Sequence, residues 1–417
     1  MKKLALIICT LLLLCGCSSN MFSNNNITGL LSSPKHSQTE SDIAKAIGDY
    51  LGENITLKYS QNQGYSAPIQ FIDIDDDAVE EALVFYYAPN KGTNIRFALA
   101  DIIDGQWNVV FDKEGLGTDV FYFDTVVLGN LKGRQILVGY LPQNISENFF
   151  VTYFTDQSAE RADYTEVCED ILVGDVNEDN QDDIILTSRL SEGNIRIKVL
   201  SFTQDNAFKV AGVKTIRRTD AQITQLAISK TSDGKTALYV DYIDSYNKMY
   251  TEASTVYSNI FINCINKEYV SRIWAYTNKL NSCDIDGDGV QEIPVVLQDS
   301  SEEELPVLKY IGWNDYSSNE MPLKSFGVYN TAENIYIALP SEWQELTHTE
   351  YTGNLWRIKS IDDETPLVSF YKEQSNKNTQ YSPYRVQIGT ESWKIEFSEE
   401  LDQSQKDYIM NSIVVFK

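Results

Sequence analysis

Asn281–Leu297 reads NSCDIDGDGVQEIPVVL, and its counterparts lie at Phe71–Tyr87, FIDIDDDAVEEALVFYY, and Leu172–Ser188, LVGDVNEDNQDDIILTS. In each, acidic or amide residues recur at alternate positions of a short loop, and an apolar, β-branched run follows. Two eroded copies lie between them, VLGNLKGRQILVGYL from Val127 and LAISKTSDGKTALYVDY from Leu226. Aligned on Asp73, Asn130, Asp175, Ser229 and Asp284, the copies are spaced by 57, 45, 54 and 55 residues. Each interval holds about four strand-like runs; the first holds Ala82–Tyr87, Ile95–Ile103, Trp107–Phe111 and Phe121–Leu128. Four strands at this period is the pattern of stacked sheet repeats, because one such unit cannot bury both faces alone.

The expected fold is therefore mainly β: a β-propeller over residues 39–328, with about five blades visible and six or seven open, then a small α+β domain over 329–417. A short helix over Thr39–Leu51 precedes the strands, with Ile43, Ile47 and Leu51 on one face. Beyond residue 329, strands are expected at Ile335–Leu339, Leu355–Ile361, Leu367–Tyr371, Tyr384–Ile388 and Trp393–Phe397. A closing helix is expected from about Ser398, with Leu401, Tyr408 and Ile409 on its buried side.

The three intact loops share one ligand register. Asp73, Asp75, Asp77 and Glu81 occupy positions 1, 3, 5 and 9 of the first, Asp175, Asn177, Asp179 and Asp183 those of the second, and Asp284, Asp286, Asp288 and Glu292 those of the third. A tight loop can aim such oxygens at one hard cation and add the backbone carbonyl of position 7, so calcium or magnesium is expected rather than zinc or copper. Gly287 and Gly289 suit the sharp turn. The competing reading is that Asp, Asn and Gly merely make β-turns. The pattern resembles the calcium loops of FG-GAP or VCBS repeats, as in integrin-like propellers. Dockerin and EF-hand loops are similar locally, but here strands flank the loops and no Glu stands at position 12. The resemblance covers roughly residues 60–325 and implies bound calcium at the three intact loops. That stretch lacks clear Phe-Gly and Gly-Ala-Pro signatures, and the second and fourth copies have lost their acids.

Residues 1–17, MKKLALIICTLLLLCGC, place two lysines before a twelve-residue apolar run, too short to span a bilayer and of the length of a secretory signal. Leu14-Cys15-Gly16-Cys17 resembles the bacterial lipobox. That resemblance implies cleavage of residues 1–16, lipidation of Cys17, and anchoring at the extracytoplasmic face of the membrane through lipid alone. Residues 17–38, polar and rich in Asn and Ser, read as a tether with a reach of ~25 Å.

The 417-residue chain carries 60 Asp and Glu against 34 Lys and Arg, a net charge of −26 that repels phosphate backbones and argues against nucleic-acid binding. Two His leave little scope for His-based zinc sites or a His general base, and no Gly-rich phosphate loop, G-x-S-x-G elbow or H-E-x-x-H motif occurs. After Cys17 the chain holds three Cys, Cys168, Cys264 and Cys283, an odd number that points to free thiols. Cys264 alternates with Ile260 and Ile262, which reads as a buried face. The 25 Tyr and six Trp either stack on sugars or, more usually in strands, fill the interfaces between sheets. The expected role is binding or adhesion to an extracellular protein or glycan at the cell envelope. The alternatives are a carbohydrate-active enzyme using carboxylates and a scaffold for envelope assembly.

Overall fold

The computed structural model describes residues 38–58, 67–143, 147–155, 163–203, 205, 207–265, 267–273, 280–297, 307–373, 384–388 and 391–416. Residues 1–16, Cys17 and all of the tether but residue 38 lie outside the described residues. Among the described residues no helix is long and apolar enough to cross a membrane.

The molecule is mainly β, built from antiparallel sheets. Helix α1 (Gln38–Leu51) opens it and buries Ile43 and Ile47, as the spacing of its apolar residues requires. Sheet I then runs Ile69–Ile72, Glu81–Tyr87, Arg96–Ile103 and Gln106–Glu114 as an up-and-down meander, with Thr56–Leu57 extending its first edge. Sheet II repeats the meander with Asp119–Val126, Gln135–Leu141, Asn148–Tyr153 and Tyr164–Cys168. Sheet III uses Ile171–Gly174, Asp183–Arg189, Ile195–Phe202 and Phe208–Ile216, and sheet IV uses Gln222–Lys230, Thr236–Ile243, Lys248–Tyr257 and Ile260–Asn263, with Val270–Ile273 also paired to Lys248–Tyr257. Consecutive antiparallel strands need only local pairing, which is why sequence order and spatial order agree along the four-stranded meanders of sheets I to IV.

Sheet V contains Ile293–Val296, Leu308–Asn314, Leu323–Asn330, Ile335–Leu339 and the C-terminal Val414–Val415. Residue 328, where the repeat pattern places a domain boundary, lies inside a strand of this sheet, and strands from both sides of it pair together. Sheet VI comprises Thr347–Tyr351, Leu355–Ser360, Pro366–Lys372, Glu391–Phe397 and Arg385–Ile388. Helix α2 (Gln403–Asn411) follows it.

Buried clusters lie between successive sheets. Leu83, Phe97, Val138 and Tyr153 join sheets I and II; Leu137, Phe150, Ile184 and Leu200 join II and III; Ile185, Ile197, Leu238 and Val240 join III and IV. Met249, Ile311 and Trp313 join IV and V, and Tyr310, Val328, Trp356 and Phe370 join V and VI. The other face of sheet I, with Val84, Tyr86 and Ala98, is covered by Ile43 and Ile47 of α1. Among the described residues each buried cluster between sheets joins neighbouring ones, and none joins sheet I to sheet V or VI.

Several local expectations are corrected. α2 begins at Gln403 with Asp402 as N-cap, whose side chain accepts from Gln405 N while Gln405 reaches back to the Asp402 N–H; Ser398 instead donates its N–H to Leu367 O at the sheet edge. Tyr408 is 46% exposed. Ile260 and Ile262 are exposed at 62% and 48%, because it is the opposite side chain, Phe261, that packs over Gly212 of sheet III. The fourth copy's turn is Thr231–Lys235, and Ser229 belongs to the strand before it. Cys168, Cys264 and Cys283 are free; Cys168 is buried and the other two are half-buried.

Candidate metal centre

The first two intact acidic loops connect the first strand of their sheet to the second, and the third leads into the first strand of sheet V and is closed by an isolated bridge. The flanking pairs are Ile72 with Glu81, Gly174 with Asp183, and Cys283 with Glu292. Position 9 is thus the first residue back into the ladder, which explains why it is an acid held inside the protein. Glu81 is 5% exposed, Asp183 1% and Glu292 0%.

The backbone folds the same way in all three. Position 1 accepts from the N–H groups of positions 5 and 6: Asp73 from Asp77 and Ala78, Asp175 from Asp179 and Asn180, Asp284 from Asp288 and Gly289. Position 5 accepts from position 7, with Asp77, Asp179 and Asp288 receiving Val79, Gln181 and Val290 at 2.8–2.9 Å. Position 9 reaches back to the N–H of position 2: Glu81 to Ile74 at 2.7 Å, Asp183 to Val176 at 3.2 Å, Glu292 to Ile285 at 3.0 Å. Positions 4 and 6 are left-handed in each loop, through Gly287 and Gly289 in the third but through Asp76, Ala78, Glu178 and Asn180 in the other two. The turn therefore does not depend on glycine, although non-glycine residues there carry backbone strain.

The loops differ in what they leave open. Carboxylate oxygens of Asp73, Asp75 and Glu81 lie within 4.8 Å of one another, as do those of Asp284, Asp286 and Glu292. In the third loop Glu292 Oε1 is buried without a hydrogen-bond partner. A buried carboxylate oxygen left unpaired beside two further carboxylates is costly, and a cation is the group that would remove both the vacancy and the repulsion. The residues present therefore fit a hard cation at the first and third loops. Burial, then the neighbouring acids Asp286, Asp288 and Asp284, push the Glu292 carboxyl up to about 8, against the opposing bond from Ile285 N. Burial likewise raises Glu81 and raises Asp183 to about 6.

The second loop is internally satisfied. Asn177 donates to Asp183 Oδ1 at 2.9 Å and to Ser201 at 3.0 Å, and the Ser201 hydroxyl also binds Asp183. Here an amide and a hydroxyl supply to the position-9 carboxylate what a cation would supply elsewhere, and this loop does not gather three carboxylates.

Three supporting residues are not evident from the loop pattern. Lys324 of sheet V pairs with Asp288 Oδ2 at 2.5 Å and holds that carboxyl below its ordinary value. Asp241, 1% exposed in sheet IV, accepts from Ser282 N and Oγ, both at 2.7 Å, and anchors the lead-in to the third loop. Glu178 receives Thr236 N at 2.7 Å and pairs with Lys230, tying the second loop to the fourth turn. Further links run along the same edge: Arg134 N donates to Ile74 O at 2.6 Å, and Lys230 pairs with Val290, its N–H on Gly289 O at 3.3 Å.

No known family model matches the chain, and no curated protein shows significant similarity to it.

Proposed function

We propose that the protein is a lipid-anchored, extracytoplasmic binding protein of the bacterial envelope, that calcium at its acidic loops braces a blade-like β-repeat array, and that it recognises an extracellular protein or glycan. The calcium reading is carried by the buried, unpartnered Oε1 of Glu292 beside Asp284 and Asp286. The all-oxygen donor set and the Asp75/Asp286 positions favour calcium over softer metals. Kinship with FG-GAP or VCBS repeats is supported by the shared ligand register and the four-stranded meanders, and the row of sheets suggests an open relative of the propeller. The anchor rests on Met1–Cys17, and the recognition role on location and on sheets that present their edges to solvent.

Extracellular calcium modules bind at roughly 10⁻⁴ to 10⁻³ M. In ~1 mM calcium each filled site then adds about 0.4–1.4 kcal/mol. Thermal melts of the full chain in detergent, with calcium and with EDTA, test the reading. Calcium should raise the transition by several degrees and magnesium should do less; identical curves with no calcium by elemental analysis would reduce the loops to turns. Cys17→Ser should abolish detergent partitioning of the processed chain, and the lipid anchor fails if partitioning is unchanged.

A further inference from the structure

A cleft of about 990 Å³ lies where the last strand of sheet III, Phe208–Ile216, and the residues after it face strands Lys248–Tyr257 and Ile260–Asn263 of sheet IV. It is remote in character from the acidic loops. Its charged lining comprises Lys214, Arg217 and Arg218 against Glu252 and Glu268, a balance of +1 from three cations and two carboxylates, in a chain of net charge −26.

The charges are not equivalent. Glu252 is engaged from within the protein, receiving Lys214 at 2.7 Å and the Tyr242 hydroxyl at 2.8 Å. Among the described residues no ion pair involves Arg217 or Arg218. The Arg218 guanidinium lies over the Tyr250 ring at 3.9 Å and near the Tyr269 ring at 5.1 Å. Tyr250 in turn stacks on Tyr242 at 5.2 Å with 14° between the planes. Both rings are pinned through their hydroxyls, Tyr242 on Glu252 and Tyr250 on Asp244 at 2.9 Å. The guanidinium is thus laid on a fixed aromatic platform. Stacking fixes its plane; one side of the group interacts with the Tyr242 hydroxyl, and the rest of its N–H edge is of the kind that binds a carboxylate. Exposed Arg217, Thr215 and Asn259 add donors around it, and half-buried Phe261 and Tyr269 supply ring surface.

We propose that this cleft binds an acidic saccharide, a short oligosaccharide carrying uronic-acid carboxylates, with Arg218 as the carboxylate receptor. A platform-held guanidinium matches a planar carboxylate, hydroxyl-bonding side chains match sugar hydroxyls, and ring surface matches the C–H face of a pyranose. The assignment specifies the ligand class within the recognition role proposed above and is independent of calcium.

Titration calorimetry of the full chain in detergent with tri-galacturonic acid, and with neutral galactotriose as control, tests it. The uronate should bind at least tenfold more tightly than the neutral sugar, and more weakly as salt is raised. Arg218→Ala should lose tenfold or more. Arg217→Ala, at an exposed position that leaves the platform intact, should lose several-fold with no change in melting temperature. Equal binding of the two sugars, or uronate binding unchanged in both variants, overturns the proposal. Absence of uronate binding while other envelope components are still captured by the full chain overturns it and leaves the recognition role standing; absence of both overturns the two together.

Discussion

Replacing Glu292 by Gln should act in opposite directions with and without metal. In the metal-free chain at pH 7, the buried Glu292 carboxyl titrates at about 8, against 4.5 for the ordinary group. Its folded value is raised, so its contribution to stability is fully present below pH 4.5 and is lost as pH rises toward 8. At pH 7 the loss is the 2.5 units above the unfolded value, about 3 kcal/mol at 1.36 kcal/mol per unit. Gln keeps the shape and still accepts the bond from Ile285 N, made at 3.0 Å by Glu292 Oε2, but carries no charge. Glu292→Gln in EDTA should therefore melt several degrees above the parent at pH 7, with the gap closing near pH 5. Adding calcium should reverse the order, because the parent gains a carboxylate ligand that the variant lacks. Melting curves of both proteins from pH 5 to 8, in EDTA and in calcium, read all four arms. A parent whose metal-free stability is flat across that range, or a variant stabilised by calcium as much as the parent, would refute the reasoning.

Other outcomes are specific to single positions. Ala78 holds a left-handed backbone at φ 69°, so Ala78→Gly should stabilise by about 1 kcal/mol, whereas Asn180→Gly should do less because Asn tolerates that region; denaturant midpoints decide. The self-satisfied second loop should fill last, so elemental analysis at limiting calcium should find two ions per chain and Asp286→Ala should leave one. Gly133 also has positive φ, and a Cβ there would stand 2.3 Å from Ile74 O; Gly133→Ala should cost more than 1 kcal/mol and speed hydrogen exchange at the Arg134 amide, which donates to that carbonyl. An unchanged exchange rate would show that the turn contact is dispensable.

Strand placement was legible because short apolar runs bounded by Asp, Asn and Gly are of strand length and too short for helices. Arg96–Ile103 and Glu81–Tyr87 fall within a residue of their expected positions. The ligand register was legible too, since it is a local spacing. Features set by distant residues were not. Lys324 meets Asp288 across 36 positions of sequence and Asp241 meets Ser282 across 41, and a lysine or aspartate in a strand carries no mark of such a partner. Alternation also says that Ile260 and Ile262 share a face without saying which face is covered; Gly212, by making room for Phe261, decides it. Ring closure belongs to the same class. The period announces repeats, but whether the first sheet meets the last or meets a helix depends on the apolar stripe of α1.

That stripe has a consequence for how the chain can vary. A ring fixes its number of units, because removing one leaves a gap that every other interface must bend to close. Among the described residues Ile43 and Ile47 cover one face of sheet I, sheet VI packs on sheet V, and each internal sheet shares buried clusters only with its two neighbours. Gain or loss of a whole meander then demands one new junction instead of a new curvature. Lengths of four or six repeats would be as admissible as five, provided that the helix and the terminal sheet travel with the ends.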